Sequence, residues 1–462
     1  MNVLFAGCLL AAPSPGPWEP AAAAAGPVPA ASPAPAASTG VVSAAVPAAS
    51  PAPAPAAGSP SRFVPRSEPA RIAEAPLKDG IGSFKPGAGL GVASADGRFS
   101  LQFNAIGQLQ SSVLHVPAQP AGDAAPAAPA RTDLALQLRR ARFTLTGNLF
   151  TPNIKYRIQF SFAPAEMLFK DGVPHRTPLL DWFFTFDRLR DATLVVGQYK
   201  VPYNHQRMLR VTDLQFVDRS QANFEFTLDR DVGLDLRSRD LGGLGKLRYY
   251  LGVYLGDGVS KYGPGDLGLM YLGRFEVLPF GQYDDLTEGD LERSTKPRML
   301  IGGAYAFIDR DPHVHHGFGG ALWADGGSAS THNATADLNF KIAGFSLSGA
   351  FFWRTGWRQP GAAVDAMGAP IAAVAPRSGL GYFTQAGYLI PRVPLELGVR
   401  WGQIRGSRRA PTSLPDQTEV GGVLNYYVAR HPVKLQLDYL RLFSAAQVGP
   451  SDQVRLQLQV MF

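Results

Sequence analysis

Residues 452 to 462 read Asp-Gln-Val-Arg-Leu-Gln-Leu-Gln-Val-Met-Phe. Val454, Leu456, Leu458, Val460 and Phe462 fall on one side of an extended chain, while Arg455, Gln457 and Gln459 fall on the other. Successive side chains of a strand point to opposite faces, so this segment separates an apolar environment from a wet one. The alternation recurs. In 153–163, Tyr156, Ile158, Phe160 and Phe162 oppose Lys155, Arg157, Gln159 and Ser161. In 333–341, Ala334, Ala336, Leu338 and Phe340 oppose Thr335, Asp337, Asn339 and Lys341. Segments 343–354 and 432–440 follow the same rule.

Working outward, comparable stretches lie near 98–110, 134–149, 153–163, 179–187, 192–200, 230–238, 246–256 and 267–277. Eight more lie near 298–307, 333–341, 343–354, 379–390, 394–404, 417–428, 432–443 and 452–462. Gly, Pro, Asp and Asn clusters separate them, and their length suits tilted membrane-crossing strands. Sixteen is an even count, as a closed bacterial barrel requires. The spacing therefore predicts an all-β chain forming a transmembrane antiparallel β-barrel. One segment slips: Leu134, Leu136 and Leu138 are even, whereas Phe143, Leu145 and Leu149 are odd. A β-bulge near Arg139-Arg140 keeps both halves facing the same way and crowds Arg139, Arg140 and Arg142 on the polar side.

Composition points the same way. Apolar residues make up 45% of the 462, yet no run approaches the roughly 18 to 20 apolar residues of a membrane-crossing helix. Mean hydropathy is -0.04, because a barrel places apolar residues at every second position. A soluble sandwich also alternates, but its polar face is outermost. Here Arg, Gln, Asn and Asp oppose the apolar face in numbers that suit a water-filled lumen. Trp182, Tyr249-Tyr250, Trp353, Trp357, Tyr382, Trp401 and Tyr426-Tyr427 sit near strand ends, the place of interfacial aromatic girdles. Formal net charge is +7, with 44 basic residues against 37 acidic. The one cysteine excludes an internal disulfide framework.

Before the strands the texture differs. Residues 1–18 contain a short apolar run followed by small residues and prolines, a possible signal segment that lacks the usual basic start. Phe5-Ala6-Gly7-Cys8 also approaches a lipoprotein cleavage box. Residues 19–85 are dominated by Ala, Pro and Ser, cannot bury a core, and read as a disordered periplasmic linker. The barrel is expected over 86–462.

Several motifs resemble the phosphate-selective porin O and P family. They are Asp96-Gly97-Arg98-Phe99-Ser100-Leu101 with Gly107-Gln108, then Arg139-Arg140-Ala141-Arg142 with Gly147, and Asp181. Gly197-Gln198-Tyr199-Lys200-Val201-Pro202-Tyr203, Phe216-Val217-Asp218-Arg219-Ser220 and Arg230-Asp231-Val232-Gly233 follow in order. The resemblance covers about 96–258 and thereafter is only strand texture. It implies a sixteen-stranded trimeric barrel of a Gram-negative outer membrane whose long third loop, here 202–229, folds into the lumen. It also implies passage of phosphate, polyphosphate or other anions. The strand ending in Phe462 resembles the signal read by the barrel-assembly machinery, with outer-membrane lipid and lipopolysaccharide as surroundings.

A ring of guanidiniums lowers the energy of an anion in a narrow channel and matches phosphate oxygens bidentately. The candidates on strands are Arg139, Arg140, Arg142, Lys155, Arg157 and Lys200. Arg207, Arg210 and Arg219 in the insert, and Arg230 just after it, complete the set. Any of these can instead pair with Asp181, Asp213, Asp218, Asp229 or Asp231 and merely order the wall. No enzyme, cofactor, metal or nucleic-acid role is expected. His313, His315 and His316 read as a surface loop rather than a zinc site, and Asp284-Asp285, Glu288 and Asp290 as a solvated turn rather than a calcium loop. Two other readings compete with the anion pore. One is a general or sugar-type porin, and the other is a structural barrel tethered to the cell wall through the Ala/Pro segment.

Overall fold

The computed structural model describes residues 83–462 apart from 86, 122–126, 168, 171–172, 175–176, 260–267, 284–286 and 316–320. The expected signal segment, Cys8 and most of the linker lie outside the described residues. Sixteen strands build the wall. The first eight are β1 Ser100–Val116, β2 Arg131–Leu149, β3 Thr151–Ser161, β4 Leu179–Phe186, β5 Thr193–Lys200, β6 Arg230–Ser238, β7 Leu247–Tyr254 and β8 Met270–Val277. The second eight are β9 Arg298–Asp311, β10 Ser328–Ile342, β11 Phe345–Gln359, β12 Gly379–Leu389, β13 Leu395–Gly406, β14 Gln417–Ala429, β15 Val433–Ser444 and β16 Ser451–Met461. Each pairs antiparallel with its neighbours in sequence. β16 then pairs with β1 from Asp452 opposite His115 to Met461 opposite Ile106, which closes the sheet. Closure satisfies every edge, the condition for a sheet to stand in lipid.

Each of the sixteen expected strands has its counterpart. β1, β9, β10 and β11 run several residues beyond their expected ends at the loop side. There the sequence reads His115, Asp311, Ser330 and Gln359, and the lipid-facing alternation that marked the strands is lost. The expected bulge is present. Gln108 lies opposite Arg140 but Leu109 opposite Leu138, so Arg139 is the extra residue. Leu134, Leu136, Leu138 and Phe143 all remain exposed on the outer face, while Arg139, Arg140 and Arg142 are buried inside.

The two ends of the barrel differ. Tight connections such as Ala343-Gly344, both left-handed (φ 51° and 90°), join strands at one end. Most long connections, including 201–229, leave the other, while 278–297 leaves the turn end. At the turn end a hairpin, Ser83–Lys85 with Gly89–Ala93, continues the sheet past the point where β16 stops, pairing Leu90 with Phe103 and Ala93 with Ser100. Strand structure thus begins just inside the stretch read as linker.

The outer face carries Leu251, Tyr271, Phe275, Phe351, Trp353, Leu397, Trp401, Leu424, Leu437 and Leu456, all exposed. No helix of the described residues is long and apolar enough to cross a membrane.

Candidate functional site

Residues 201–229 turn inward between β5 and β6 and fill part of the lumen as two short helices joined by a chain that makes one 3-10 turn at Val211–Asp213. Asn204 caps the helix His205–Met208 by accepting from the Gln206 N–H at 3.1 Å. Ser220 caps Gln221–Phe226 in the same way through Asn223 N–H at 3.0 Å. Asn223 donates to the Asn204 side chain at 2.7 Å, tying the two helix starts together. Such short helices hold only through their surroundings.

Those surroundings are of two kinds. On one side the insert packs into an apolar cluster. Tyr203, Ala222, Phe226 and Leu228 meet Tyr254, Met270, Leu272, Ile308, Phe352, Phe383 and Ile404, all buried on the inner face of β7–β13. Phe226 stacks on Phe352 with ring centroids 5.9 Å apart. A Cβ at Gly381 would lie 2.5 Å from the Phe226 ring, so the wall can approach the helix only because residue 381 has no side chain. Around Phe226 the inner face of this half is therefore core rather than channel lining, while Arg274 beside it donates to the Tyr203 carbonyl at 2.9 Å and Asp337 accepts from the His205 N–H at 3.3 Å.

Elsewhere the wall reads the insert's backbone. Lys434 donates to the Leu214 carbonyl at 2.7 Å, Gln436 to Gln215 at 2.8 Å and Gln459 to Thr212 at 3.1 Å. A second segment, 278–297, enters from the turn end to meet it. The Glu288 carboxylate accepts from Gln206 at 2.8 Å, from the Gln215 N–H at 2.7 Å and from Gln385 at 3.0 Å. Asp290 accepts from the Ser294 N–H at 2.9 Å and the Gly344 N–H at 2.8 Å. Both acids are buried, at 1% and 0% exposure, so the reading of a solvated turn is corrected at Glu288 and Asp290. Their charge marked them for the surface, whereas N–H donors of the insert, of Gln385 and of neighbouring turns accommodate them inside. Asp284 and Asp285 lie outside the described residues.

The arginines predicted from sequence mostly face this insert. Arg140 donates to Asp218 at 2.5 Å and to Gln108 at 2.8 Å, and Arg139 lies 3.3 Å from the same Asp218. Arg455 stands 3.6 Å from Asp218 and pairs with Asp438 at 2.7 Å. Burial works against the ionised Asp218, but Arg139, Arg140 and Arg455 outweigh it and hold the carboxyl well below its usual range. Arg142 is held by Glu166 at 2.9 Å. Asp181 joins two strands, accepting from Arg230 at 2.5 Å and Arg157 at 3.3 Å. Arg207 donates to Asp229 at 3.0 Å, and Arg210 to Asp213 at 2.5 Å. Lys155 pairs with Asp187 near the turn end, apart from the others.

Two cations are held differently. Lys200 donates to the Leu209 carbonyl at 2.8 Å, and Arg219 donates to the same oxygen at 2.7 Å and to the Gln206 carbonyl at 2.8 Å. Among the described residues neither has a carboxylate within ion-pair distance. Both are partly accessible, and the charges of Arg219, Arg230 and Arg207, with that of Asp181 opposing them, act on Lys200. The structure thus gathers Lys200, Arg207, Arg219 and Arg230 at the root of the insert, with Arg139, Arg140, Arg142 and Arg157 along the adjoining wall.

Sequence reasoning missed the group around Glu225. This carboxylate, at the end of the second helix, accepts from Arg377 at 2.9 and 2.7 Å and from Arg354. His315 lies 3.9 Å away. Burial opposes its charge, but the two guanidiniums bring its pKa down to about 2. His313 pairs with Asp311 at 2.9 Å, and among the described residues no three His, Cys, Asp or Glu side chains gather as metal ligands. His316 lies outside the described residues.

No family model matches the sequence, and no curated protein matches it. Solved structures with a similar fold include an anion-selective porin from Comamonas acidovorans, 10% identical over 79% of this chain and all of that one, with a TM-score of 0.48. The outer membrane channel DcaP of Acinetobacter baumannii is 11% identical over 81% of this chain and all of its own, with a TM-score of 0.47. OprB of Pseudomonas putida is 9% identical over 79% and 95%, also with a TM-score of 0.47.

Proposed function

We propose that this chain is an outer-membrane porin giving passive diffusion of small anions, with phosphate or polyphosphate as candidate solutes. The observation that carries the reading is the pair Lys200 and Arg219. They are two partly accessible cations at the root of the lumenal insert, bonded to carbonyls rather than carboxylates. A carbonyl uses a donor without cancelling its charge, so the pair keeps its field for a passing anion. Arg207 and Arg230, each shared with Asp229 or Asp181, flank them as weaker stations. Several moderate sites in series bind and release an ion, as conduction requires. Neither a covalent step nor a cofactor enters this reading. Insertion through the strand ending in Phe462 and assembly as a homotrimer are part of the proposal, the latter checked by the mass of the detergent-solubilised complex.

The test is the reversal potential of the purified protein in a planar bilayer under a KCl gradient, repeated with phosphate added. An anion-selective reversal is expected, with phosphate reducing the chloride current. Lys200→Glu with Arg219→Glu should move the reversal to the cation side, whereas Lys155→Glu, at the turn end, should leave it nearly in place. An unselective or cation-selective reversal in the unaltered protein ends the anion reading.

A further inference from the structure

The two ends of the barrel carry their exposed charges differently. At the loop end the cations stand beside carboxylates: Arg131 lies 3.2 Å from Asp133, Arg310 3.1 Å from Asp309 and Arg405 3.2 Å from Asp416. Arg441 faces Asp452 at 3.9 Å, and the exposed Arg409 has no such partner among the described residues. At the turn end the carboxylates are already taken. Asp187 pairs with Lys155, Asp191 with Arg190 at 2.7 Å and Glu292 with Arg430 at 2.7 Å. Four more cations at that end, Arg188, Lys246, Lys296 and Arg392, are exposed. None of their side chains has a hydrogen-bond or ion-pair partner among the described residues.

These four belong to four different connections, 187–192 after β4, 239–246 after β6, 278–297 after β8 and 390–394 after β12. Each connection also exposes a large apolar side chain: Leu189 at 64%, Leu244 at 61%, Phe280 at 57% and Val393 at 47%. One exposed apolar residue is ordinary. The same pairing with an unpartnered cation at four turns around the circumference is a pattern. Depth fits as well. Phe186 ends the outward-facing row of β4, and Arg188 follows after about 7 Å of extended chain. The headgroup layer on each side of a bilayer is about 5 to 8 Å deep. A long cationic side chain there reaches phosphates while its stem lies along apolar surface.

We infer that the turn-end rim is a docking ring for anionic phospholipid. Arg188, Lys246, Lys296 and Arg392 hold the phosphate diester of the headgroup, and the neighbouring apolar tips meet the start of the acyl chains. Short turns mark the periplasmic end of a bacterial barrel, so the leaflet concerned is the periplasmic one. A soluble acidic protein would dock on one sector of the rim. Contacts spread over four connections match a leaflet, which surrounds the barrel. This inference rests on the outer-membrane reading and is independent of the anion selectivity of the pore.

The full-length protein is reconstituted at low salt in phosphatidylcholine vesicles with a trace of spin-labelled phosphatidylglycerol or spin-labelled phosphatidylcholine. Electron spin resonance gives the fraction of each label immobilised against the protein. A lipid touching one basic tip should be favoured about fivefold, the worth of one cation near the surface. Averaged over the whole boundary shell, phosphatidylglycerol should be preferred about twofold. Salt at about 0.5 M should remove the preference, because the cations are exposed. Changing Arg188→Gln, Lys246→Gln, Lys296→Gln and Arg392→Gln together alters only exposed side chains without partners, and that variant should immobilise both labels equally. Arg409→Gln should keep the preference, and its loss there would place the contact at the loop end and overturn the proposal. Equal immobilisation of the two labels by the unaltered protein also overturns it and leaves the rim to an acidic soluble partner. Immobilisation of neither label would remove the membrane reading beneath it. An unselective pore that still prefers phosphatidylglycerol would end the anion reading and uphold the ring.

Discussion

The inner surface of this barrel is divided into two walls that treat the same insert in opposite ways. Along β7–β13 the inward positions near the loop end include the apolar cluster Tyr254, Met270, Leu272, Ile308, Phe352, Phe383 and Ile404, and Phe226 is packed among them. Along β1–β6 and β16 they are Gln102, Gln108, Arg140, Arg142, Gln159, Asp181, Arg455 and Gln457, and the contact with Asp218 is ionic. The first wall fixes the insert by excluding water around Phe226, and Arg274, Asp337 and Arg354 add polar contacts beside that cluster. The second faces it across charged groups and leaves Lys200 and Arg219 to solvent and solute. An inward face in a barrel is therefore not lumen by default. It becomes core wherever an insert brings apolar side chains to it, and channel where it does not.

The comparison breaks most severely if the apolar wall loses its anchor. Phe226→Ala removes a ring that is 1% exposed, and a buried Phe→Ala change costs about 3 to 5 kcal/mol. That energy holds the insert rather than the barrel, whose strands are closed without it. The expected result is larger single-channel conductance, weaker anion selectivity and protease cleavage within 202–229, with barrel unfolding almost unchanged. A variant that conducts and discriminates like the parent would show that charge, not packing, places the insert.

A smaller effect of opposite character is expected at the cationic wall. Asp218→Asn leaves Arg139, Arg140 and part of the Arg455 charge without their shared acceptor. Breaking a fully buried pair costs about 3 to 5 kcal/mol, but the Asp218 side chain is 26% exposed and water screens the loss to roughly 1 to 2 kcal/mol. The wall becomes more positive and the insert stays docked. The reversal potential should shift further toward the anion value with conductance nearly preserved. A fall in selectivity would mean that Asp218 positions the arginines rather than merely neutralising them.

How much of this was legible in the sequence differs between the two walls. The strands, their number and the bulge at Arg139 follow from period-two alternation, because lipid enforces it at every outward position. The insert was legible through its length and its place in the family resemblance. The apolar wall was not, although β7 carries a signal: Leu247-Arg-Tyr-Tyr-Leu-Gly-Val-Tyr254 is rich in apolar and aromatic residues on both faces, the composition of a strand buried on two sides. The cationic residues could be named, but not their partners. Asp218 meets Arg140 across 78 positions, and Glu225 meets Arg377 across 152, separations that no local pattern reports. Lys200 and Arg219 stand out only once those pairings are drawn.

The mildest challenge to the division is acid. The ordinary pKa of Glu is about 4.3, and Glu225 in place is held down to about 2 by Arg377 and Arg354 against the cost of burial. A depressed value means that docking binds fewer protons than release does. The contribution of Glu225 is fully present above about pH 4 and is lost as pH falls toward 2. Asp218 is depressed in the same direction and adds to the effect at the acid end. Current noise in single channels should thus be flat from pH 7 to about pH 5 and rise between about pH 4 and pH 2. The apolar contacts of Phe226 do not titrate, so acid alone should loosen the insert without freeing it. In Phe226→Ala the same acidification should free it, seen as a step to the fully open conductance. If acid opens the unaltered pore to that same level, the charged contacts dominate and the apolar wall is secondary.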